Sequence, residues 1–203
     1  NLKRMLPFRP VLLQHTYDTR LDHPGPIALG APADAPPDDD HCEAFEDYLN
    51  ALNGADHPAA TAAHALLAEL TPVRPNLELI IGPPGCGKSH YVRLNHPDAV
   101  VSVPTQKLLG DYQGNRVFTQ HAVFGHVAPV VCVDEAFTQP YGYFVALAAA
   151  GAERIICMGD PKQIGLIDFD SQNITKWRMP EEGCRYSKIT RMDTTHRCPI
   201  DVT

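Results

Sequence analysis

Residues 77–89 read LELIIGPPGCGKS, and this stretch is the most informative about the fold. An apolar run of the length of a buried strand leads into a loop with three glycines, and Lys88 and Ser89 then open a helical segment. Glycines let successive backbone N–H groups point inward at phosphate oxygens, and the following helix directs the positive end of its dipole to the same place. The pattern therefore predicts a loop that binds the phosphates of a nucleotide.

The residues of this loop have distinct expected roles. We expect Lys88 to bind the β- and γ-phosphates and the Ser89 hydroxyl to be a ligand of Mg²⁺. The residues expected to bind the nucleotide are Gly82, Pro83, Pro84, Gly85, Cys86, Gly87, Lys88 and Ser89. The alternative is a chance glycine turn, which the strand before the loop and the helix after it disfavour.

Further apolar runs predict a parallel sheet. Strands are predicted at 77–81, 99–103, 130–133 and 154–158, with helices between them at 88–94, 106–112 and 141–150. Most of these strands are apolar on consecutive residues, which indicates burial on both faces. The predicted fold class is α/β, a doubly wound parallel sheet with helices on both faces, and the ligand is expected at the carboxyl ends of the strands.

Two carboxylates follow the predicted strand at 130–133. We expect Asp134 to hold the metal and Glu135 to orient or deprotonate an attacking water. A hydrolase needs such a base, whereas a small-molecule kinase does not. The alternative is a solvated acidic turn after a strand.

The predicted strand at 154–158 leads into GDPKQ, residues 159–163. Gln163 is the candidate side chain to reach the γ-phosphate from this neighbouring strand. An ordinary β-turn is the alternative, because Asp and Pro stand in positions that turns favour.

The first 75 residues differ in composition from the rest. They carry 5 basic and 11 acidic residues, and residues 76–203 carry 12 and 13, so the acidity lies in the front third. Residues 21–40 hold five prolines and no periodicity, and helices are predicted from Asp40 to Gly54 and over 58–70. We expect a small accessory or linker region over 1–75, mostly helical or irregular, and one NTPase domain over 76–203.

Composition excludes several classes of protein. With 44% hydrophobic and 20% charged residues the chain is globular rather than disordered, and no run of about 20 apolar residues predicts a transmembrane helix. Residues 76–203 are nearly neutral in net charge, so composition neither supports nor excludes nucleic-acid binding.

Five motifs now stand in order: GPPGCGKS, VPTQKL, VDEAF, GDPKQ and THRCP. Over about residues 77–200 they resemble the first RecA-like domain of a superfamily 1 RNA helicase. The likeness is to the replication polyproteins of alpha-like positive-strand RNA viruses, in the hepatitis E virus, alphavirus and tetravirus neighbourhood. It implies a RecA-like P-loop NTPase that uses ATP or another NTP with Mg²⁺ and binds RNA during viral replication.

The resemblance also implies roles for single residues. Pro104, Thr105 and Lys107 match the segment that contacts the backbone of single-stranded RNA. The alternative, a helix start capped by Thr105, explains the same residues equally well. Arg197 matches the arginine that approaches the γ-phosphate. The alternative for Arg197 is a surface arginine near a chain end.

The resemblance further implies partners and a location. The expected partners are RNA, the second RecA-like domain of the motor, and the methyltransferase and polymerase of the parent polyprotein, within a membrane-associated replication complex in the host cytoplasm. Removal of the RNA 5′ γ-phosphate by the same site is also implied. Since the sequence ends at Thr203, we expect a part of the motor that binds nucleotide and hydrolyses it slowly.

Two other functions remain open from the sequence. One is a P-loop kinase or nucleotide switch, whose nucleotide binding would not respond to RNA. The other is a non-catalytic scaffold with a partial ATP site, which would have no affinity for nucleotide.

Overall fold

The computed structural model describes residues 11–12, 40–112, 114–163 and 186–195. The strands are β1 Val11–Leu12, β2 Leu77–Ile81, β3 Val100–Val103, β4 Arg116–Thr119, β5 Val130–Val133, β6 Arg154–Gly159, β7 Tyr186–Arg191 and β8 Thr194–Thr195. The α-helices are α1 Asp40–Gly54, α2 Pro58–Leu67, α3 Lys88–Asn95 and α4 Tyr141–Ala149. Three short 3-10 helices are η1 Gln106–Asp111, η2 Ala122–His126 and η3 Ala136–Thr138.

Six strands form one parallel sheet in the order β4-β3-β5-β6-β2-β7. The four predicted strands are its inner four, and β2 and β5 have the predicted bounds. Strands β4 and β7 were not predicted. Both lie at the edges of the sheet, where half of each strand faces solvent and polar residues replace the apolar run that marks a buried strand.

Helices cover both faces of the sheet, as predicted. On one face α1, α2 and α4 enclose a core with Leu79, Val131 and Ile155. On the other face α3 packs Val92 against a second cluster that includes Met158 and other side chains of the same strands. The fold is therefore a doubly wound α/β fold.

Helices α1 and α2 belong to the core of the sheet. Phe45, Tyr48 and Leu52 of α1 are buried, and the Tyr48 ring meets the Tyr143 ring edge-on with centroids 5.8 Å apart. At Gly142 a Cβ atom would overlap the Ala44 carbonyl oxygen, so α1 and α4 cross with their backbones nearly in contact. The division of the chain after residue 75 stays a prediction, and residues 40–67 share their core with the six-stranded sheet.

Two helix predictions differ from the structure in detail. The segment predicted as a helix over 106–112 is the 3-10 helix η1, which contains Gly110, a poor helix former. The helix predicted to residue 70 ends at Leu67, and a turn precedes Pro72. Within the described part of the chain, no helix is both long and apolar enough to cross a membrane.

Candidate nucleotide site

Three residues that directly follow strands lie at one edge of the sheet. Strands β5, β6 and β2 are neighbours and parallel, and Asp134, Asp160 and Gly82 follow their carboxyl ends. The Gly82 N–H donates to the Gly159 carbonyl at 3.2 Å, and the Asp134 N–H donates to the Ser102 carbonyl at 2.9 Å. Backbone hydrogen bonds thus extend the sheet by one residue and hold these positions side by side.

The loop 82–87 depends on glycine in two places. Gly85 and Gly87 have φ angles of 76° and 96°, a left-handed region that residues with a Cβ rarely occupy. Gly87 is the N-cap of α3, so its conformation turns the chain into the helix that begins with Lys88. The sequence prediction of a glycine loop between a strand and a helix is confirmed.

The side chain of Lys88, the first residue of α3, folds back onto this loop. It is buried, and the Nζ atom donates hydrogen bonds to the carbonyl oxygens of Gly82 at 2.6 Å and Pro83 at 3.2 Å. The Cys86 Sγ atom lies 3.9 Å from the same ammonium, and burial raises the pKa of this thiol. The two carbonyls compensate for the loss of water around a buried charge. They also occupy the donors that an incoming phosphate would need.

Asp134 and Glu135 form a tight turn after β5. Glu135 has a φ of 49°, and no other described residue apart from glycine has a positive φ. Its N–H donates to Asp134 Oδ1 at 3.1 Å, and the Thr138 hydroxyl donates to its carbonyl oxygen at 2.7 Å. A strained backbone held by several hydrogen bonds is typical of functional sites.

The carboxylates and the lysine influence one another. Burial raises the pKa of Asp134, and the positive charge of Lys88 partly opposes this rise. Burial also raises the pKa of Glu135, the nearby Asp134 raises it further, and Lys88 again acts in the opposite direction. The structure therefore brings together Lys88, Asp134 and Glu135, three residues that the sequence assigned to one site.

Asp160 was missed by the sequence analysis as a member of this site. Its side chain is buried, and its charge raises the pKa of both Glu135 and Cys86. Its Oδ1 atom accepts a hydrogen bond from the Lys162 N–H at 3.0 Å. The signal was present, because a charged residue directly after a buried strand in such a sheet lies at the ligand edge.

Gln163 and the RNA-contacting candidates lie around this centre. The Gln163 N–H closes a turn onto the Asp160 carbonyl at 3.0 Å, and its side chain is exposed. Thr105 and Lys107 are exposed after β3, and Pro104 is half-buried. Thr105 is the N-cap residue of η1, as the alternative of a helix start expects, but its side chain makes no capping hydrogen bond. Arg197 lies outside the described residues.

Oxygen atoms at this site fit a magnesium ion. The Ser89 side chain and the Asp134 carboxylate both interact with the phenol of Tyr112, which places all three groups together. Among the described residues no cluster of three His, Cys, Asp or Glu side chains could hold a metal by itself. Mg²⁺ is typically held by one or two protein oxygens together with nucleotide phosphates and water. The oxygens of Ser89 and Asp134 are therefore enough for a magnesium site that a nucleotide completes.

A phosphate loop between a parallel strand and a helix, with a carboxylate pair at the tip of another strand of the same sheet, defines a P-loop NTPase. The family model described as the viral superfamily 1 RNA helicase core domain matches residues 78–203. The chain belongs to this family.

Curated relatives agree with the family. The chain is 33% identical over 147 residues to the methyltransferase/helicase/RNA-directed RNA polymerase of Nudaurelia capensis beta virus, covering 62% of this chain and 7% of that protein. It is 35% identical over 138 residues to the non-structural polyprotein pORF1 of avian hepatitis E virus, covering 66% of this chain and 8% of that protein. The chain thus spans less than a tenth of these relatives.

Among solved structures, the helicase of PRRSV aligns with a TM-score of 0.38 and 20% identity, covering 65% of this chain and 32% of that one. The relatives confirm the family predicted from the five motifs, a helicase domain of a positive-strand RNA virus replicase polyprotein.

Proposed function

We propose that this chain binds an NTP with Mg²⁺ in the loop 82–89 and single-stranded RNA beside it, as the first RecA-like domain of an NTP-dependent RNA helicase in viral replication. The observation that carries the proposal is the meeting of Lys88, Asp134 and Glu135, whose charges interact within one partly buried site. A buried cation beside two carboxylates with raised pKa values is typical of a site built for charged ligands.

Nucleotide binding in this proposal begins at Lys88. Its ammonium exchanges the carbonyl oxygens of Gly82 and Pro83 for the β- and γ-phosphates. Ser89 and Asp134 are the residues that would hold Mg²⁺, which supplies charge neutralisation at the phosphate oxygens.

Hydrolysis in this proposal depends on Glu135. Glu135 accepts a proton from the water that attacks the γ-phosphorus, the bond to the β-phosphate oxygen breaks, and the products are NDP and inorganic phosphate. The raised pKa of Glu135 makes this carboxylate a better base than an exposed one. Gln163 contacts the γ-phosphate and senses whether it is present. Arg197 stabilises the charge of the transition state, as the family resemblance implies.

RNA binding is assigned to the segment after β3. Strand β3 pairs with β5, so Thr105 and Lys107 follow the strand beside the one that leads into Asp134. An exposed lysine and hydroxyl suit contacts to phosphate oxygens. The same nucleotide site would also remove the γ-phosphate from an RNA 5′ end. The proposed partners are the second RecA-like domain, the methyltransferase and the polymerase, in a membrane-associated complex of the host cytoplasm.

A binding titration tests this function. A fluorescent ATP analogue with Mg²⁺ is titrated into the 203-residue chain with and without single-stranded RNA, and single-turnover hydrolysis is followed in the same samples. Lys88→Ala should abolish nucleotide binding, whereas Glu135→Gln should spare binding and slow hydrolysis by about 10² or more.

The controls are the same two types of substitution, Lys→Ala and Glu→Gln, at residues away from the nucleotide site. Lys188→Ala on β7 and Glu153→Gln at the opposite end of β6 should leave binding and hydrolysis unchanged. Binding that ignores RNA would favour the kinase or switch, and no binding by the unsubstituted chain would favour the scaffold. Equal loss of binding in Lys88→Ala and Glu135→Gln would contradict the separate roles.

A further inference from the structure

The amide of Gln139 is buried beside the acidic turn, residues 134–135. Gln139 is 7% exposed. Its Nε2 atom donates to the Oε1 atom of Gln120 at 2.6 Å and to the hydroxyl oxygen of Thr138 at 3.3 Å. Burial of an amide costs free energy unless its hydrogen bonds are made, and here both N–H groups of the Nε2 atom have acceptors. The two glutamines thus join segments that are 19 residues apart in the chain.

The same chain of hydrogen bonds reaches the backbone of Glu135. The Thr138 hydroxyl donates to the Glu135 carbonyl oxygen at 2.7 Å, and the Thr138 N–H donates to the same oxygen at 2.9 Å. Since the hydroxyl oxygen accepts from Gln139 on one side, its proton is directed to the carbonyl on the other. Gln139 therefore orients one of the bonds that hold the acidic turn.

The acidic turn is fixed to the sheet on both sides. Gln120 directly follows β4, and its N–H donates to the Val103 carbonyl at the end of β3 at 3.1 Å. On the side of β6, Phe137 of η3 lies against the backbone of Gly159, where a Cβ atom would lie 2.6 Å from the ring. In the strand order β4-β3-β5-β6, the turn after β5 is thus held by the strands on either side of it.

These contacts matter because the backbone of Glu135 is strained. Its φ and ψ angles of 49° and 47° lie in the left-handed region, which costs free energy for a residue with a Cβ atom. The direction of the Cα–Cβ bond follows from the backbone, so a return to a negative φ would turn the carboxylate to another direction. A general base must lie within hydrogen-bond distance of the water whose proton it takes. The bonds that hold this backbone therefore also set the position of the carboxylate.

We infer that Thr138 and Gln139 are positioning residues that hold Glu135 in the orientation that hydrolysis requires. The inference rests on the proposed function, because it takes Glu135 as the general base. Both side chains act through the backbone of Glu135, whereas the loop 82–89 holds the nucleotide. Their loss should therefore slow hydrolysis and leave nucleotide affinity unchanged.

Thr138→Val and Thr138→Ser test the role of the hydroxyl. Valine keeps the shape of threonine and removes the bond to Glu135, whereas serine keeps the bond. The rate of single-turnover hydrolysis and the dissociation constant of the fluorescent ATP analogue with Mg²⁺ are measured for both variants of the 203-residue chain. Thr138→Val should slow hydrolysis about tenfold and change the dissociation constant by less than about twofold. Thr138→Ser should hydrolyse within about threefold of the unsubstituted rate.

Gln139→Leu and Gln120→Leu test the bond between the two glutamines. Leucine is similar in size to glutamine and has no polar side-chain atom. Each substitution alone should slow hydrolysis about tenfold without weakening nucleotide binding. The double variant should be no slower than the slower single variant, because both substitutions remove the same bond. A double variant slowed by the product of the two single effects would show that the glutamines act independently, which overturns the inference.

Thr61→Val is the matched control for Thr138→Val. The Thr61 hydroxyl also donates to a backbone carbonyl, that of His57 at 3.4 Å, but Thr61 lies on α2, outside the candidate site. This variant should keep both the rate and the affinity. Equal rates in Thr138→Val and Thr138→Ser, or a loss of affinity as large as the loss of rate, would assign Thr138 a merely structural role and overturn the inference.

Two further outcomes separate the inference from the proposed function. If Lys88→Ala abolishes binding and Glu135→Gln slows hydrolysis while Thr138→Val and Gln139→Leu keep the full rate, the inference fails and the proposed function stands. If the unsubstituted chain hydrolyses no nucleotide, Glu135 is not positioned as a base and both are wrong.

Discussion

The Thr195 hydroxyl donates a hydrogen bond of 2.8 Å to the Pro84 carbonyl oxygen, which ties strand β8 to the phosphate loop. Just before it, the Met192 N–H donates to the Ile81 carbonyl at 2.8 Å, and the Met192 backbone and side chain lie against Gly82. The chain that leads to Arg197 is therefore anchored on the loop it is expected to serve.

Thr195→Val should release this anchor. Valine keeps the shape of the buried side chain and removes the donor, so the free energy of unfolding should fall by about 1 kcal/mol. Single-turnover hydrolysis should slow more than nucleotide affinity falls, since Arg197 is proposed to act in the transition state. Urea unfolding and rapid quench measure the two effects.

Thr194→Val makes the same chemical change at the neighbouring position, whose side chain points to the other side of the strand. It should change neither measurement. Hydrolysis at the full rate in Thr195→Val would show that the hydrogen bond has no part in placing Arg197.

Gly142→Ala should loosen α1 from the sheet. The added Cβ would overlap the Ala44 carbonyl and lie 2.7 Å from Tyr48 Cβ, and backbone atoms cannot move aside cheaply. We expect a loss of about 3 kcal/mol in the free energy of unfolding, measured by urea titration.

Gly125→Ala is the control for Gly142→Ala, because its Cβ would meet no atom within 4 Å among the described residues. If Gly142→Ala unfolded at the same urea concentration as the unsubstituted chain, residues 40–67 would contribute nothing to the stability of the NTPase sheet.

Asp134→Asn should stabilise the nucleotide-free chain and weaken its binding of nucleotide with Mg²⁺. Burial raises the pKa of Asp134, so the folded state binds a proton more tightly than the unfolded state. The free energy of unfolding therefore falls as the pH rises from the ordinary carboxyl value through the raised pKa. Asparagine carries no charge and removes this loss.

Thermal unfolding from pH 4 to pH 8 measures this effect. The Tm of Asp134→Asn should exceed that of the unsubstituted chain at pH 7, and the difference should shrink toward pH 4. Asp98→Asn, on an exposed loop, is the control. A lower Tm for Asp134→Asn at pH 7 would show that the carboxylate stabilises the empty site.

Lys107→Ala should reduce the salt dependence of RNA binding. An exposed lysine that neutralises one phosphate releases counterions, so the slope of log K against log salt should decrease by about 0.7 for single-stranded RNA. Lys188→Ala, an exposed lysine on the other edge of the sheet, should leave the slope unchanged. An unchanged slope in Lys107→Ala would show that Lys107, and with it η1, does not contact the RNA backbone.

Much of the centre of the molecule was predictable from local pattern. The loop 82–89, the strands β2 and β5 and the acidic pair at Asp134 and Glu135 all have the predicted places. Central strands are buried on both faces, so their apolar runs are unambiguous. The edge strands β4 and β7 were missed because solvent contact removes that pattern.

The family, the phosphate loop and the class of fold were readable from the sequence, because each depends on short motifs and apolar runs whose residues are adjacent in the chain. The rest of the site became visible in the folded chain. The contact of Tyr112 with Ser89 and Asp134, the bond from Thr195 to Pro84 and the packing of α1 on Gly142 join positions at least 20 residues apart. Such contacts follow from strand order and helix placement, which local periodicity does not encode.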